Sequence, residues 1–478
     1  MRFSVAAALL LSSLLAACAL KPPVIDDPQL RHDAPLATDV ATDKGVDGIQ
    51  PGAWPAVDWW KRYQDPTLNN LIDIAIKDAP SLKTANARYS SARESVRVTG
   101  AAQGIRVDAN ATTQRQRLSD NGLFPPKLLG FNWYNQSDLA FSASYTFDWW
   151  GKQRATIVAA VNEAHAVEAE QRAAALLLAG MIADNYFGWQ ADQSRLALAR
   201  ERVAILEHQL AIANLRIDAE IDSPDARQLV KQSLAVARSD SAALQGSAKL
   251  HVIALVALLG RAPNELPTFT AHPLPAVTES FPSNARLDLI ARRPDIAASR
   301  WRVEVARKNL VVARADYFPD VSIHALAGLS SIDINNLLKY GSRVPSVGLA
   351  IHLPIFDSGL EAAQFGARHA QVDAAVANYD ETVIGAAREV ASAAANLEQV
   401  STQLQQHDLQ LAASIELQRS AAARASAGIT DIRPRLSADL SLLAERDAAT
   451  QLNQAALSAD IALQRALGGG YEFKEESK

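Results

Sequence analysis

The residues of this chain whose types invite chemistry are few. Nine histidines stand singly, with no HExxH pair, and no P-loop, GxSxG elbow or dinucleotide glycine fingerprint occurs. The sequence therefore offers no catalytic constellation and no cofactor site, and the energy for any work must come from a partner. Cys18 is the single cysteine, which excludes an intrachain disulfide and leaves either an incidental thiol or a chemically modified one. The charged run Arg292-Arg293-Pro294-Asp295 has a structural explanation, since proline at the first helical position and an acid in the first turn favour a helix start. Two other charged clusters stand out. Asp222, Asp225 and Arg227 lie in AEIDSPDARQ (219–228), and Arg433, Arg435 and Asp439 lie in AGITDIRPRLSAD (427–439). Such residues either cap helices, as Ser223-Pro224-Asp225 and Asp431 are suited to do, or pair with one another.

Composition narrows what must position these groups. At 49% hydrophobic and 21% charged, the 478 residues lie outside the disordered class, and 6% aromatics with abundant alanine suits long, closely packed helices. The formal charge of −5 gives no basic face for nucleic acid. Arg2 is followed by an apolar stretch, residues 3–15, too short to span a bilayer, so residues 1–17 read as a cleavable secretory signal. Leu15-Ala16-Ala17-Cys18 resembles the lipobox of bacterial lipoproteins. That resemblance implies acylation of Cys18, with palmitate-type chains, as the first residue of a mature lipid-anchored protein. Ala19 resembles the pattern sorted to the outer membrane.

Two periodicities organise the rest. Leu139, Phe141, Ala143, Tyr145, Phe147 and Trp149 alternate with small or polar residues, and Val347, Leu349, Ile351, Leu353 and Ile355 repeat the pattern. Weaker alternation at 105–114 and 321–329 completes four candidate strands in two hairpins, with loops at 118–137 and 330–344. A tilted membrane strand of about 9–11 residues with a lipid face and a lumen face fits; a soluble sandwich is the other reading. After each second strand the chain runs without proline, from Lys152 to Asp218 and from Leu360 to Ala427. Helices of that length would reach roughly 100 Å. Leu196, Ala199, Val203, Leu206, Leu210, Ala213 and Ile217 follow a coiled-coil seam, while Val376, Val383, Val390, Leu397, Leu404 and Leu411 recur every seventh residue.

A shift of 208 places Leu196 on Leu404, Ile221 on Ile429 and Gly260 on Gly468, although Leu210 falls on Gln418. The chain thus reads as mainly α, a tandem-duplicated helix-strand-strand-long helix-helix unit. The divisions expected are an N-terminal segment at 18–65, a first repeat at 66–260, a proline-rich linker at 261–285, a second repeat at 286–470 and a tail at 471–478. Four membrane strands cannot close a barrel, so oligomerisation is required, giving eight strands in a dimer or twelve in a trimer.

WWKRYQDPTLNNLIDIAI (59–76), ARRPDIAASRWRVEVARKNLVVARADYFPDVSI (291–323), AGITDI (427–432) and the lipobox together resemble the TolC/OprM-type outer-membrane efflux factors, most closely their NodT-like lipoprotein branch. The resemblance implies a homotrimer in the bacterial outer membrane, lipid-anchored and extending into the periplasm. Its helical tunnel would be capped by a shared twelve-stranded β-barrel, with a collar at its equator. Such ducts expel toxic small compounds together with a periplasmic adaptor (membrane fusion) protein and an inner-membrane pump of the RND or MFS type. Family members narrow the tunnel at the helix turns, often with acidic residues. Here Arg433, Pro434, Arg435 and Ser437 depart from that pattern, and Glu220 stands where glycine is common. Tyr145, Phe147, Trp149 and Trp150 suit a membrane interface, or alternatively a soluble core. Gly151 and Gly359 suit the two strand-to-helix joints. A lipid-anchored periplasmic adaptor or coiled-coil scaffold is the competing reading, but an adaptor would carry one hairpin and no duplicated amphipathic strands.

Overall fold

The computed structural model describes residues 28–31, 50–121, 126–277, 280–282 and 285–473; Cys18 and the signal segment lie outside them. The elements are β1 (Gln50–Gly52), α1 (Pro66–Asp78), α2 (Pro80–Ala102), β2 (Arg106–Arg117), β3 (Trp133–Phe147), α3 (Lys152–Asp218), α4 (Pro224–Leu259), β4 (Ser280–Pro282), α5 (Ala285–Arg292), α6 (Pro294–Ala315), β5 (Asp320–Ser331), β6 (Ser346–His352), α7 (Leu360–Ser426) and α8 (Arg433–Ala466). Two helices, two strands, a 67-residue helix and a helix of 36 or 34 residues thus follow one another twice. At 1.5 Å rise per residue, α3 and α7 each extend about 100 Å.

Two compact units are present. Of the described residues, one contains 28–29, Ser90–Ala166 and Arg300–Asn378; the other contains 30–31, 50–89, Val167–Ser299 and 379–473.

The first unit holds an antiparallel sheet of order β2-β3-β5-β6. Its strands depart from the expected limits in two places. β3 begins at Trp133 rather than in the alternating segment, so the last five residues of the expected 118–137 loop are ladder. Polar cross-strand contacts make the difference: Thr113 Oγ1 and Ser137 Oγ lie 2.9 Å apart, and Gln136 Nε2 donates to Ser330 Oγ at 2.8 Å. β6 ends at His352, short of the expected Ile355. Pro345 and Pro354 bracket it, and proline has no N–H to donate to a ladder. In the same unit, Tyr317 and Phe365 pack edge to face at 6.1 Å in a small core with Ala313.

The second unit carries the larger core. Trp59, Trp60 and Tyr63 pack with Leu68, Leu71 and Ile72 of α1, Tyr186 and Phe187 of α3, Leu255 and Leu259 of α4, and Ile461 of α8. Asp65 starts α1, its carboxylate accepting from Thr67 N at 2.8 Å and Leu68 N at 3.1 Å, with Pro66 at the first helical position. The other Asp65 oxygen accepts from the buried Tyr186 hydroxyl at 2.8 Å, so the helix cap also satisfies a core phenol. Of the α3 seam, Leu206 packs with Leu234 and Ala237 of α4, flanked by Val203, Leu210 and Leu440. On α7, Val383, Val390 and Leu397 are fully buried. Where that series lapses, Gln418 donates to Asp439 on α8 at 2.8 Å. The β1–β4 pairing, a short parallel bridge from Gln50–Gly52 to Ser280–Pro282, carries no sequence signal.

Candidate functional site: sheet faces, joints and helix turns

Register sorts the sheet residues. Ala109, Phe141 and Ala327 lie opposite one another, as do Tyr145, Ile323 and Leu349, and Phe147, Val321 and Ile351. Side chains directly opposite on paired strands share a face, so this face is apolar from the Phe147 row to the Leu139 row and turns polar beyond it, at Thr113, Ser137 and Ser331 and at Arg115 and Asn135. The other face aligns Thr112, Asp138 and Ser330, then Arg106, Ser144, His324 and Gly348, with Leu326 as an apolar exception. Phe141, Val347, Leu349 and Ile351 are between 57% and 75% exposed. Among the described residues, β2 and β6 have no neighbour on their outer sides.

Each second strand leads into a long helix through a left-handed glycine, Gly151 at φ +76° and Gly359 at φ +89°. The sequence reading overlooked the aspartate that precedes each. Asp148 accepts from Gln153 N and Arg154 N at 3.0 and 2.9 Å, and Asp357 accepts from Gly359 N and Glu361 N at 2.9 and 2.7 Å. These carboxylates satisfy otherwise unpaired first-turn donors of α3 and α7, and the shared FD before each glycine was the available signal. Tyr145 meets Phe147 edge to face at 5.3 Å, and Phe147 stacks on Trp149 at 5.8 Å. Trp150 does not join that row. Its ring stacks on Phe318 at 4.5 Å and its Nε1 donates to the Pro319 carbonyl at 2.9 Å, so the YFP segment braces the first joint.

At the helix turns the charges interlock. Arg216, absent from the sequence-derived set, donates twice to Asp222, at 2.7 and 3.0 Å. Arg433 donates to Asp431 at 2.6 and 2.9 Å and lies 4.0 Å from Asp222, so one cation faces acids from both turns. The Arg216 guanidinium holds the Asp222 carboxyl below the usual carboxylate range, and Arg433 does the same to Asp431. Asp431 also accepts from Arg433 N at 3.0 Å. Arg435 pairs instead with Asp439 on its own helix at 3.8 Å. Asp225 lies in the first turn of α4, and Arg227, two residues on, has a buried Nε without a hydrogen-bond partner.

The two turns share a left-handed backbone position but fill it with different residues. Gly428 adopts φ +70°, and Glu220, its counterpart under the 208 shift, adopts φ +60°. A side chain in the left-handed region costs roughly 1–2 kcal/mol that glycine avoids. Glu220→Gly is therefore expected to stabilise the first turn by about 1 kcal/mol, read as a higher thermal midpoint. An unchanged or lower midpoint would mean that the glutamate side chain offsets its own strain.

Comparison with known proteins matches this geometry to described relatives. The family model for outer membrane efflux proteins matches residues 71–261 and 287–469. The multidrug resistance outer membrane protein MdtP of Escherichia coli (strain K12) is 28% identical over 436 residues, covering 89% of this chain and 88% of that protein. The crystal structure of the outer membrane protein VceC from Vibrio cholerae superposes with a TM-score of 0.79 at 29% identity, covering 88% of this chain and all of that one. The Campylobacter jejuni outer membrane channel CmeC shares the fold at a TM-score of 0.85 with 20% identity, covering 96% of each chain.

Proposed function

The chain belongs to the outer membrane efflux protein family, and on that premise we propose that it is the outer-membrane exit duct of a tripartite efflux system, a passive route for drugs or other toxic small molecules. The sheet carries the reading. One face is apolar over the rows from Phe147 to Leu139, the opposite face is mostly polar, and among the described residues both outer edges are unpaired. Each hairpin runs directly into a helix of about 100 Å.

Unpaired backbone groups in lipid cost several kcal/mol each, so the edges must find partners. β2 and β6 run antiparallel, because every neighbouring pair in the four-stranded order reverses. β6 of one copy can therefore continue onto β2 of the next without a change of sense. Three copies give 4 × 3 = 12 strands, the homotrimeric barrel that the sequence resemblance implies. On α4, Leu229, Val236 and Leu250 are 65%, 49% and 67% exposed and lie one and then two heptads apart, a stripe that a neighbouring copy would cover. Residues 66–260 and 286–470 are read as repeats of a duplicated unit joined by 261–285, and acylated Cys18 as an additional anchor. Tyr145, Phe147 and Trp149 form the row suited to the membrane interface. A periplasmic adaptor and an RND- or MFS-type pump complete the system and supply its energy.

The helix turns are assigned as the gate. Arg433, between Asp431 and Asp222, ties the two turns of one copy together, while Asp225, Arg227, Arg435 and Asp439 flank it. One exposed pair contributes only about 0–1 kcal/mol, but symmetric repetition biases an aperture with two states. The experiment is single-channel recording of the purified protein in planar bilayers. The parent is expected to be highly resistive and to open as salt rises, and Arg433→Ala with Arg435→Ala to conduct more at low salt. A double variant as resistive as the parent at low salt, and opening over the same salt range, would leave these residues as helix caps. Absence of channels from both proteins at every salt concentration would overturn the duct.

A further inference from the structure

A cavity beside the Arg292-Arg293-Pro294-Asp295 run plays no part in the duct reading. It measures about 770 Å³ and lies among α3, the start of α6, α7 and the end of α8, entirely within the second unit. Small-molecule sites typically occupy roughly 300–1,000 Å³. Leu176 and Leu177 give it an apolar wall, and three arginines, Arg293, Arg388 and Arg465, reach it together with Asp295 and Glu389.

These charges do not cancel locally. Arg293, only 7% exposed, donates to Asp295 at 3.0 and 2.6 Å, to Glu389 at 2.8 Å and to the Ala466 carbonyl at 2.7 Å. It is satisfied, and it engages both carboxylates of the cavity. Among the described residues, no carboxylate lies within ion-pair distance of Arg388 or Arg465. Asp184 senses the Arg465 charge, but burial pushes its carboxyl up to about 6 and its hydrogen bond goes to Ser458. The N-terminus of the 22-residue helix α6, at Pro294, adds partial positive charge to the same space.

We propose that this cavity binds a small organic carboxylate with an apolar body. Arg388 and Arg465 hold the carboxylate, and Leu176 and Leu177 cover the body. The planar guanidinium fork matches carboxylate geometry. Inorganic phosphate would meet the charges but leave the leucines against water. The proposal is independent of the duct reading, because it concerns one protomer's helices.

The test is equilibrium dialysis of the purified full-length protein in detergent, with benzoate as probe and benzamide and inorganic phosphate as comparisons. Saturable benzoate binding is expected, roughly tenfold or more tighter than benzamide, which keeps the body and loses the charge. Arg388→Gln and Arg465→Gln are each expected to weaken benzoate by about tenfold. Because Arg465 packs against Gly180, the exposed Arg388 gives the decisive variant. No saturable benzoate binding, phosphate binding as tight as benzoate, or undiminished binding in Arg388→Gln would each overturn the proposal.

Discussion

Gly468→Ala is expected to lower the stability of the protein by about 2–5 kcal/mol. Gly468 follows α8 at φ +91°, and an added Cβ would land on the Arg292 carbonyl oxygen. The left-handed backbone alone costs an L side chain roughly 1–2 kcal/mol. Forcing a methyl into a packed site adds about 1–3 kcal/mol. The obstacle is backbone rather than the far end of a flexible side chain, so rotamer changes cannot relieve it. Arg293, the next residue, is held by four hydrogen bonds, which further limits any shift. Thermal unfolding in detergent reads the effect, with Gly100→Ala as control because nothing lies within 4 Å of its Cβ position. A Gly468→Ala midpoint equal to that of the control would show that the α8–α5 approach is loose.

The second large effect belongs to the sheet. Phe141→Arg and Leu349→Arg place a charge on the apolar face, at residues 57% and 71% exposed. Near the bilayer midplane this costs about 2–4 kcal/mol in each copy. Ser144 lies on the opposite face, across from Arg106 and His324, where an arginine has polar neighbours. Phe141→Arg and Leu349→Arg are therefore expected to deplete assembled oligomer from the outer membrane. Ser144→Arg is expected to assemble and to change the single-channel current. Equal recovery of all three variants in the membrane fraction would contradict the assigned faces.

The long helices were legible in the sequence because their signal accumulates. A missing proline means little over ten residues, but over the whole of Lys152–Asp218 or Leu360–Ser426, joined to regular apolar spacing, it leaves one interpretation. The centres of the strands were legible because alternation reports which side faces apolar surroundings. Their ends were not. Trp133–Ser137 are held in β3 by polar partners on neighbouring strands, and no local pattern encodes a hydrogen bond from Gln136 to Ser330, 194 residues away. The helix turns were located correctly as segments, yet Arg216 escaped notice because it reads locally as one more cation on a helix. It matters only once the turn brings Asp222 back beside it. Trp150 likewise reads as one of an aromatic row until the YFP segment arrives to receive it.

The two open edges of the sheet have a genetic consequence. If β6 of each copy must join β2 of the next, a defective β6 harms the neighbour that needs it as well as the chain that carries it. A ring is then only as sound as its worst member. With three copies drawn at random from equal pools of normal and damaged chains, about one ring in eight would contain normal chains alone. Lesions in β2 or β6 should therefore behave as dominant alleles, whereas a lesion that unfolds its own protomer before it meets a neighbour should be recessive.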